Sequence, residues 1–147
     1  MKNRNGLINI GNIDVINRVR NLVPGSLVYK GVKKELFSIE VISYNQDNFI
    51  LKEFMTVKDF GAFYDQLDRT DYANIWINVT GLNAIEEVDH LGVYFDIPKL
   101  ILEQVVNITK HSMFKVGPKY IFNDLQMIYL LDASVEVENI TIYKTEL

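Results

Sequence analysis

The residues able to do chemistry in this chain are few and scattered. Glu87 and His90 stand three apart in "EEVDH", a spacing that places a carboxylate and an imidazole on one helix face. Carboxylate-bridged two-metal helices use that pair, but they need a second copy of it and further glutamates on neighbouring helices. One copy is present, so the plainer reading is a solvated helix face. Asp65, Asp68 and Asp71 cluster near a helix end, without the glycine-containing loop closed by Glu that a Ca2+ site requires. His111 lies beside Lys110 and near Lys115, with no carboxylate fixed by sequence. Asn78 and Asn83 flank a turn, where asparagine more often caps or turns the chain than binds a ligand. Glu103 is the carboxylate of most interest. It projects from the polar stripe of an otherwise apolar helix, where it could reach a partner subunit or a hard cation through oxygen ligation. Lys99, four residues earlier, offers a plainer alternative: an exposed helical ion pair worth at most about a few tenths of a kcal/mol. There is no Gly-rich phosphate loop, no G-x-S-x-G and no acid–base pair, so the chain is not read as an enzyme.

The bulk properties narrow the class further. A length of 147 residues suffices for one domain with a real core, and the 48% hydrophobic and 12% aromatic fractions are those of a folded protein. The net charge of −4 comes with scattered lysines and arginines, so the basic, aromatic-laced footprint of a nucleic-acid binder is missing. The absence of cysteine excludes disulfides, thiolate metal sites and cysteine nucleophiles together. The start, "MKNRNGLINIGNID", interrupts its apolar residues with Asn and Asp and is not a signal peptide. No segment approaches the roughly 20 apolar residues of a membrane helix. These features point to a soluble, cytosolic chain. The Asn-x-Thr sequons at Asn78, Asn107 and Asn139 fall within predicted strands or helices and are not read as glycosylation sites.

Elements must hold these groups in place. Residues 1–22 form an extension rich in Asn and Arg, in which Ile13, Ile16, Val19 and Val23 could line one short amphipathic helix ending at the Pro24-Gly25 turn. A short strand is expected over Ser26–Tyr29. Phe37, Ile39 and Val41 alternate as in a strand, and "NFILKEFM" follows across 45–48 to make a hairpin. Val57, Phe60, Phe63, Tyr64 and Leu67 recur at helical spacing, which predicts a helix over 57–68. Ile75, Ile77 and Val79 alternate, with Trp76 on the other side, which predicts an interior position in the sheet, covered by helices on at least one side. Asn83 with Glu86 reads as a capping box before a helix whose face carries Ile85, Val88, Leu91, Gly92 and Phe95. Asp96 is expected to cap a second helix over about 98–109, with Pro98 in its first turn and a polar stripe of Lys99, Glu103, Asn107 and Lys110 flanked by Gln104. After Gly117-Pro118 come a long strand to Leu131, a turn at "DAS" and a last strand, whose shift of apolar phase predicts a bulge near Asn139. The order β-β-β-α-β-α-α-β-β-β predicts an α/β or α+β domain with a mixed sheet, one face of which is poorly covered.

In that order and spacing, "PGSLVYKG", the strand before Tyr44-Asn45, "WINVTGL", "VYFDIPKLILEQVVN" and "YIFNDLQMIYL" together resemble the cytoplasmic domain of the CorA family of magnesium and cobalt transporters, over roughly residues 22–147. The resemblance implies an α/β/α sandwich over 23–147, incomplete at its C-terminal end, in a homopentamer at the cytoplasmic face of the cell membrane. Family members continue into a closing strand, further helices, a stalk helix and two membrane helices, with Gly-Met-Asn at the pore mouth. This chain would then be a piece of a transporter, attached to the membrane only through those absent helices, and "ITIYK" would be left as an exposed edge. The family carries Glu-Asp on the second helix, at the seam between subunits, to help hold a regulatory Mg2+. Here the Glu is kept as Glu103 and the Asp is replaced by Gln104, a poorer Mg2+ ligand. Pro98-Lys99 stands where the family has His-Pro, which adds a cation one turn from Glu103, and Lys110-His111-Ser112-Met113 stands where it has Gln-Arg-Pro-Lys. Divalent sensing, of Mg2+ or another ion such as Co2+ or Zn2+, is therefore expected to be weakened or differently built. The alternative reading is a stand-alone α/β binding or interaction module with no transport role.

Overall fold

The computed structural model describes residues 24–31, 34–72, 74–107 and 112–145. The N-terminal extension and its candidate helix, and Lys110 and His111, lie outside them. Strands β1 (Ser38–Tyr44) and β2 (Phe49–Phe54) form the expected hairpin, in register from Ile39 against Phe54 to Tyr44 against Phe49. Asn45 shapes its turn by accepting the N–H groups of Asp47 and Asn48 on its own side chain, at 2.8 and 2.7 Å. Helix α1 (Val57–Tyr64) starts from Thr56, whose hydroxyl accepts the Asp59 N–H at 3.1 Å. It stops short of the predicted 68 because Gln66 and Leu67 bond back to Phe63 and Tyr64, tightening the last turn until it ends.

Strand β3 (Asn74–Thr80) pairs antiparallel with β1, giving the order β2-β1-β3. The sheet interior is therefore β1, and β3 lies at the edge, contrary to expectation. Apolar groups on both sides of β3 do not mean two covered faces: Trp76 remains 54% exposed. It sits in a row with Ile42 and Leu51 on the face that carries no helix. That uncovered face also bears Tyr44 and Phe49, both exposed.

Helices α2 (Ile85–Tyr94) and α3 (Lys99–Val106) follow β3. Neither predicted cap forms. The α2 cap position is Ala84, without a side-chain bond, and the Asn83 side-chain Oδ1 instead accepts the Glu35 N–H at 2.8 Å. Pro98 occupies the α3 cap, while Asp96 takes a left-handed backbone (φ 51°) in the linker. Helix α3 ends at Val106, with buried Asn107 as its C-cap.

The core lies between one face of β1 and the three helices. Phe37, Ile39 and Val41 meet Val57, Phe60, Tyr64, Val88, Leu102 and Val106 there. Phe60 touches the rings of Phe54, Tyr64, Tyr94 and Phe95 within about 6 Å, so α1 and α2 are joined by a continuous aromatic contact. Each fully buried large apolar side chain contributes about 1.5–3 kcal/mol, which makes this the principal stabilising cluster.

A second antiparallel sheet has the order β4 (Met113–Val116), β5 (Tyr120–Leu131), β6 (Ser134–Thr145). Asp132 and Ala133 both adopt positive φ, the geometry of a two-residue hairpin turn. The ladder runs unbroken from Tyr120 against Thr145 to Leu131 against Ser134, so the expected bulge near Asn139 is absent. The apolar phase changes because the apolar side chains change faces. Near the turn, Ile128, Leu130, Val135 and Val137 share one face; toward the base, Leu125, Ile140 and Ile142 occupy the other. Phe122 and Asp124 are buried at the base. The fold is α/β as the sequence predicts, with its strands divided between two antiparallel sheets.

Candidate functional site

Glu103 stands on the outer side of α3, half-buried, and α2 sets the position of that helix. The two helices approach closely at Gly92, where a Cβ would collide with the Leu102 side chain. The chain reverses between them by bonding the Ile97 N–H to the Gly92 carbonyl at 2.8 Å. Lys99 forms its ion pair with Asp89 of α2, not with Glu103 as the plainer reading supposed. Both partners are well exposed, so the pair adds little stability, on the order of 0–1 kcal/mol.

The Glu103 carboxylate instead accepts the Gly25 N–H at 3.0 Å. Gly25 has φ 87°, open to glycine, and a Cβ there would stand 3.2 Å from that of Lys99. Five residues on, the Lys30 N–H reaches the Val106 carbonyl at 3.4 Å. Residues 25–30 thus run alongside α3 and bond to it, and no strand forms over Ser26–Tyr29. Beside Glu103, Gln104 is half-buried, and its carbonyl oxygen is shielded from solvent with no hydrogen-bond partner among the described residues. The two neighbours therefore differ in surroundings as well as charge: Glu103 is turned to the segment laid along the helix, and the side-chain oxygen of Gln104 is shielded from solvent.

The remaining candidates resolve into structural roles. Glu87 is not on a solvated face; it accepts the Val57 N–H at 2.7 Å and so satisfies the first turn of α1. His90 is exposed and lines a shallow, open depression of about 330 Å3 with Lys58, Asp65 and Tyr94. Asp65 is engaged by the Tyr94 hydroxyl, whose pKa is pushed up to about 12 by burial and by that carboxylate. Such a hydroxyl keeps its proton at neutral pH. Asp68 closes a small turn on Thr70, while Asp71 offers its backbone carbonyl to Asn45. Among the described residues no three His, Cys, Asp or Glu side chains come together as a metal site. The contacts of Glu87 and Glu103 join residues 30 and 78 positions apart, which no local pattern announces.

None of the described helices is long and apolar enough to cross a membrane. No protein-family profile matches the chain. The cobalt/magnesium transport protein CorA of Thermotoga maritima, however, is 34% identical to it over 110 residues, 74% of this chain. The chain spans 29% of that protein's length. By homology across this segment, the chain belongs to the CorA family of cobalt and magnesium transport proteins.

Proposed function

We propose that residues 23–147 form a cytosolic regulatory domain of a divalent cation transporter, preceded by an extension over residues 1–22. The observation that carries this reading is the 34% identity to the Thermotoga transport protein over most of the chain. The domain sits at the cytoplasmic face of the membrane and assembles with copies of itself, as a pentamer in the full-length protein. It senses Mg2+ or another divalent cation at the seam between subunits, where α3 supplies Glu103. Cations held there screen like charges and favour the closed assembly, and their loss favours conduction; this is linkage between ion binding and conformation. The Glu103 bond to Gly25 and the neutral, shielded Gln104 support a sensor weaker than one built on two carboxylates.

Two measurements test the reading. In the first, Mg2+, Co2+ and Zn2+ are titrated while thermal unfolding of this chain is followed. A ligand raises stability by RT ln(1 + [L]/Kd), and one chain brings a single seam carboxylate, so millimolar Mg2+ should shift the midpoint little. A large shift abolished by Glu103→Ala would show a complete site within one chain and overturn the shared-seam proposal. In the second, the matching segment of the Thermotoga transporter is replaced by this chain and cobalt uptake into cells is measured. Uptake should fall as internal Mg2+ rises, and Glu103→Ala should weaken that dependence. Uptake indifferent to Mg2+ would favour the stand-alone interaction module instead.

A further inference from the structure

Glu103, the carboxylate assigned above to the seam, already has a partner within its own chain. Its Oε2 accepts the Gly25 N–H at 3.0 Å, in a part-buried contact between residues 78 positions apart. At the other end of the segment, the Lys30 N–H reaches the Val106 carbonyl at the longer distance of 3.4 Å. The shorter tie is thus the one that ends on a charged acceptor. Gly25 is shaped for it: φ is 87°, a backbone that glycine adopts freely and other residues adopt under strain. The Lys99 ammonium, one turn from Glu103, is drawn off to Asp89. We propose that residues 25–30 are a latch on the sensor. The segment and a divalent cation compete for the Glu103 carboxylate, so docking of the segment sets how much cation the seam needs.

The competition follows from charge and rests on the seam reading above. A hydrogen bond to an ionised acceptor is stronger than one between neutral groups, and partial burial strengthens it further. The Gly25 N–H turns its positive end to the carboxylate that a cation would approach, so each ligand weakens the other. The donor is neutral and does not cancel the carboxylate's charge, so rising cation concentration can still displace it. Linkage is reciprocal: the cation must loosen the segment by the factor by which the segment weakens the cation. Coupled ligands commonly affect one another about 5- to 150-fold, and a single neutral donor belongs at the low end, about five- to tenfold. The sign separates a latch from a merely structural tie. Breaking a structural tie would blunt the cation response, whereas opening a latch sharpens it.

Two measurements test the latch apart from the reading beneath it. In the 147-residue chain, hydrogen exchange followed by mass spectrometry should show the segment over 25–30 protected. Glu103→Ala should remove that protection, and Glu103→Gln, which still offers an oxygen to the Gly25 N–H, should keep most of it. Protection unchanged in Glu103→Ala would overturn the latch and leave the seam reading standing. In the chimeric transporter, Gly25→Ala strains the turn and sets a Cβ 3.2 Å from that of Lys99, while Gly25→Pro removes the donor. Both should lower the Mg2+ concentration that halves cobalt uptake by about five- to tenfold. Exchange over 25–30 in the unaltered chimera should quicken as Mg2+ is added. Gly25 carries no side chain into the core, so both variants should keep the fold, which thermal melts verify. A threshold that stays put or rises, in a chimera still responsive to Mg2+, would overturn the latch alone. Uptake indifferent to Mg2+ before any substitution would overturn the latch and the seam reading together.

Discussion

Asp124 is the buried carboxyl whose protonation should be felt in stability. Burial in the second sheet pushes its pKa above the ordinary carboxylate value, and the Thr141 hydroxyl, donating at 3.2 Å, works against that rise. The folded chain therefore holds this proton more tightly than the unfolded chain does. Stability from this group is greatest below the unfolded pKa, near 4, and is lost as pH climbs through the raised folded value. Asp124→Asn keeps an acceptor for Thr141 and removes the buried charge. It should raise the melting temperature by about 2 °C at pH 7, and the gain should vanish toward pH 4. Melts at the two pH values check the sign. At this scale the sequence was legible in residue type and illegible in partner. The placement of Glu103 on the polar side of its helix could be read from spacing. Its bond to Gly25 could not, because spacing reports only neighbours three or four positions away.

Among the elements, α1 shows how a helix end can be completed from a distance. Thr56 satisfies one N–H of its first turn locally, and Glu87 reaches across from α2 to take another. A carboxylate there also faces the positive end of the helix dipole. Glu87→Ala should cost about 1–2 kcal/mol by urea unfolding, since it strands a part-buried donor, whereas Glu87→Gln should recover part of the loss. Loss of the same size in both variants would assign the effect to the carboxylate's charge at the helix end. Periodicity located the helices and strands well, because burial on one face leaves a repeat in the sequence. It failed where a side chain had competing uses. Asn83 looks like a cap for α2 but holds the backbone at Glu35, and Asp96 looks like a cap for α3 but forms the reversal before it. The alternation in β3 was read correctly as a strand and wrongly as an interior one, since apolar residues on two faces do not state how many faces are covered.

For the molecule as a whole, stability should be uneven. The large core lies between β1 and the helices, while the second sheet buries Phe122 and Asp124 at its base and leaves its far half in water. Amides of β1 should therefore exchange only with global unfolding, and those of β6 from Val135 to Val137 by easier local opening. Hydrogen exchange followed by mass spectrometry would check the ranking; equal protection would mean the two sheets open together. The sequence foresaw an uncovered face but not its form, because a change of apolar phase can signal either a bulge or a change of side, and the ladder decides between them. That change of side has a geometric consequence. With Leu130 and Ile128 bare on one flank near the tip, and Leu125, Ile140 and Ile142 on the opposite flank below with Leu131 above them, a single slab laid against the hairpin would always leave one flank wet. Drying both halves takes a clasp from two directions, like fingers closing on a ribbon.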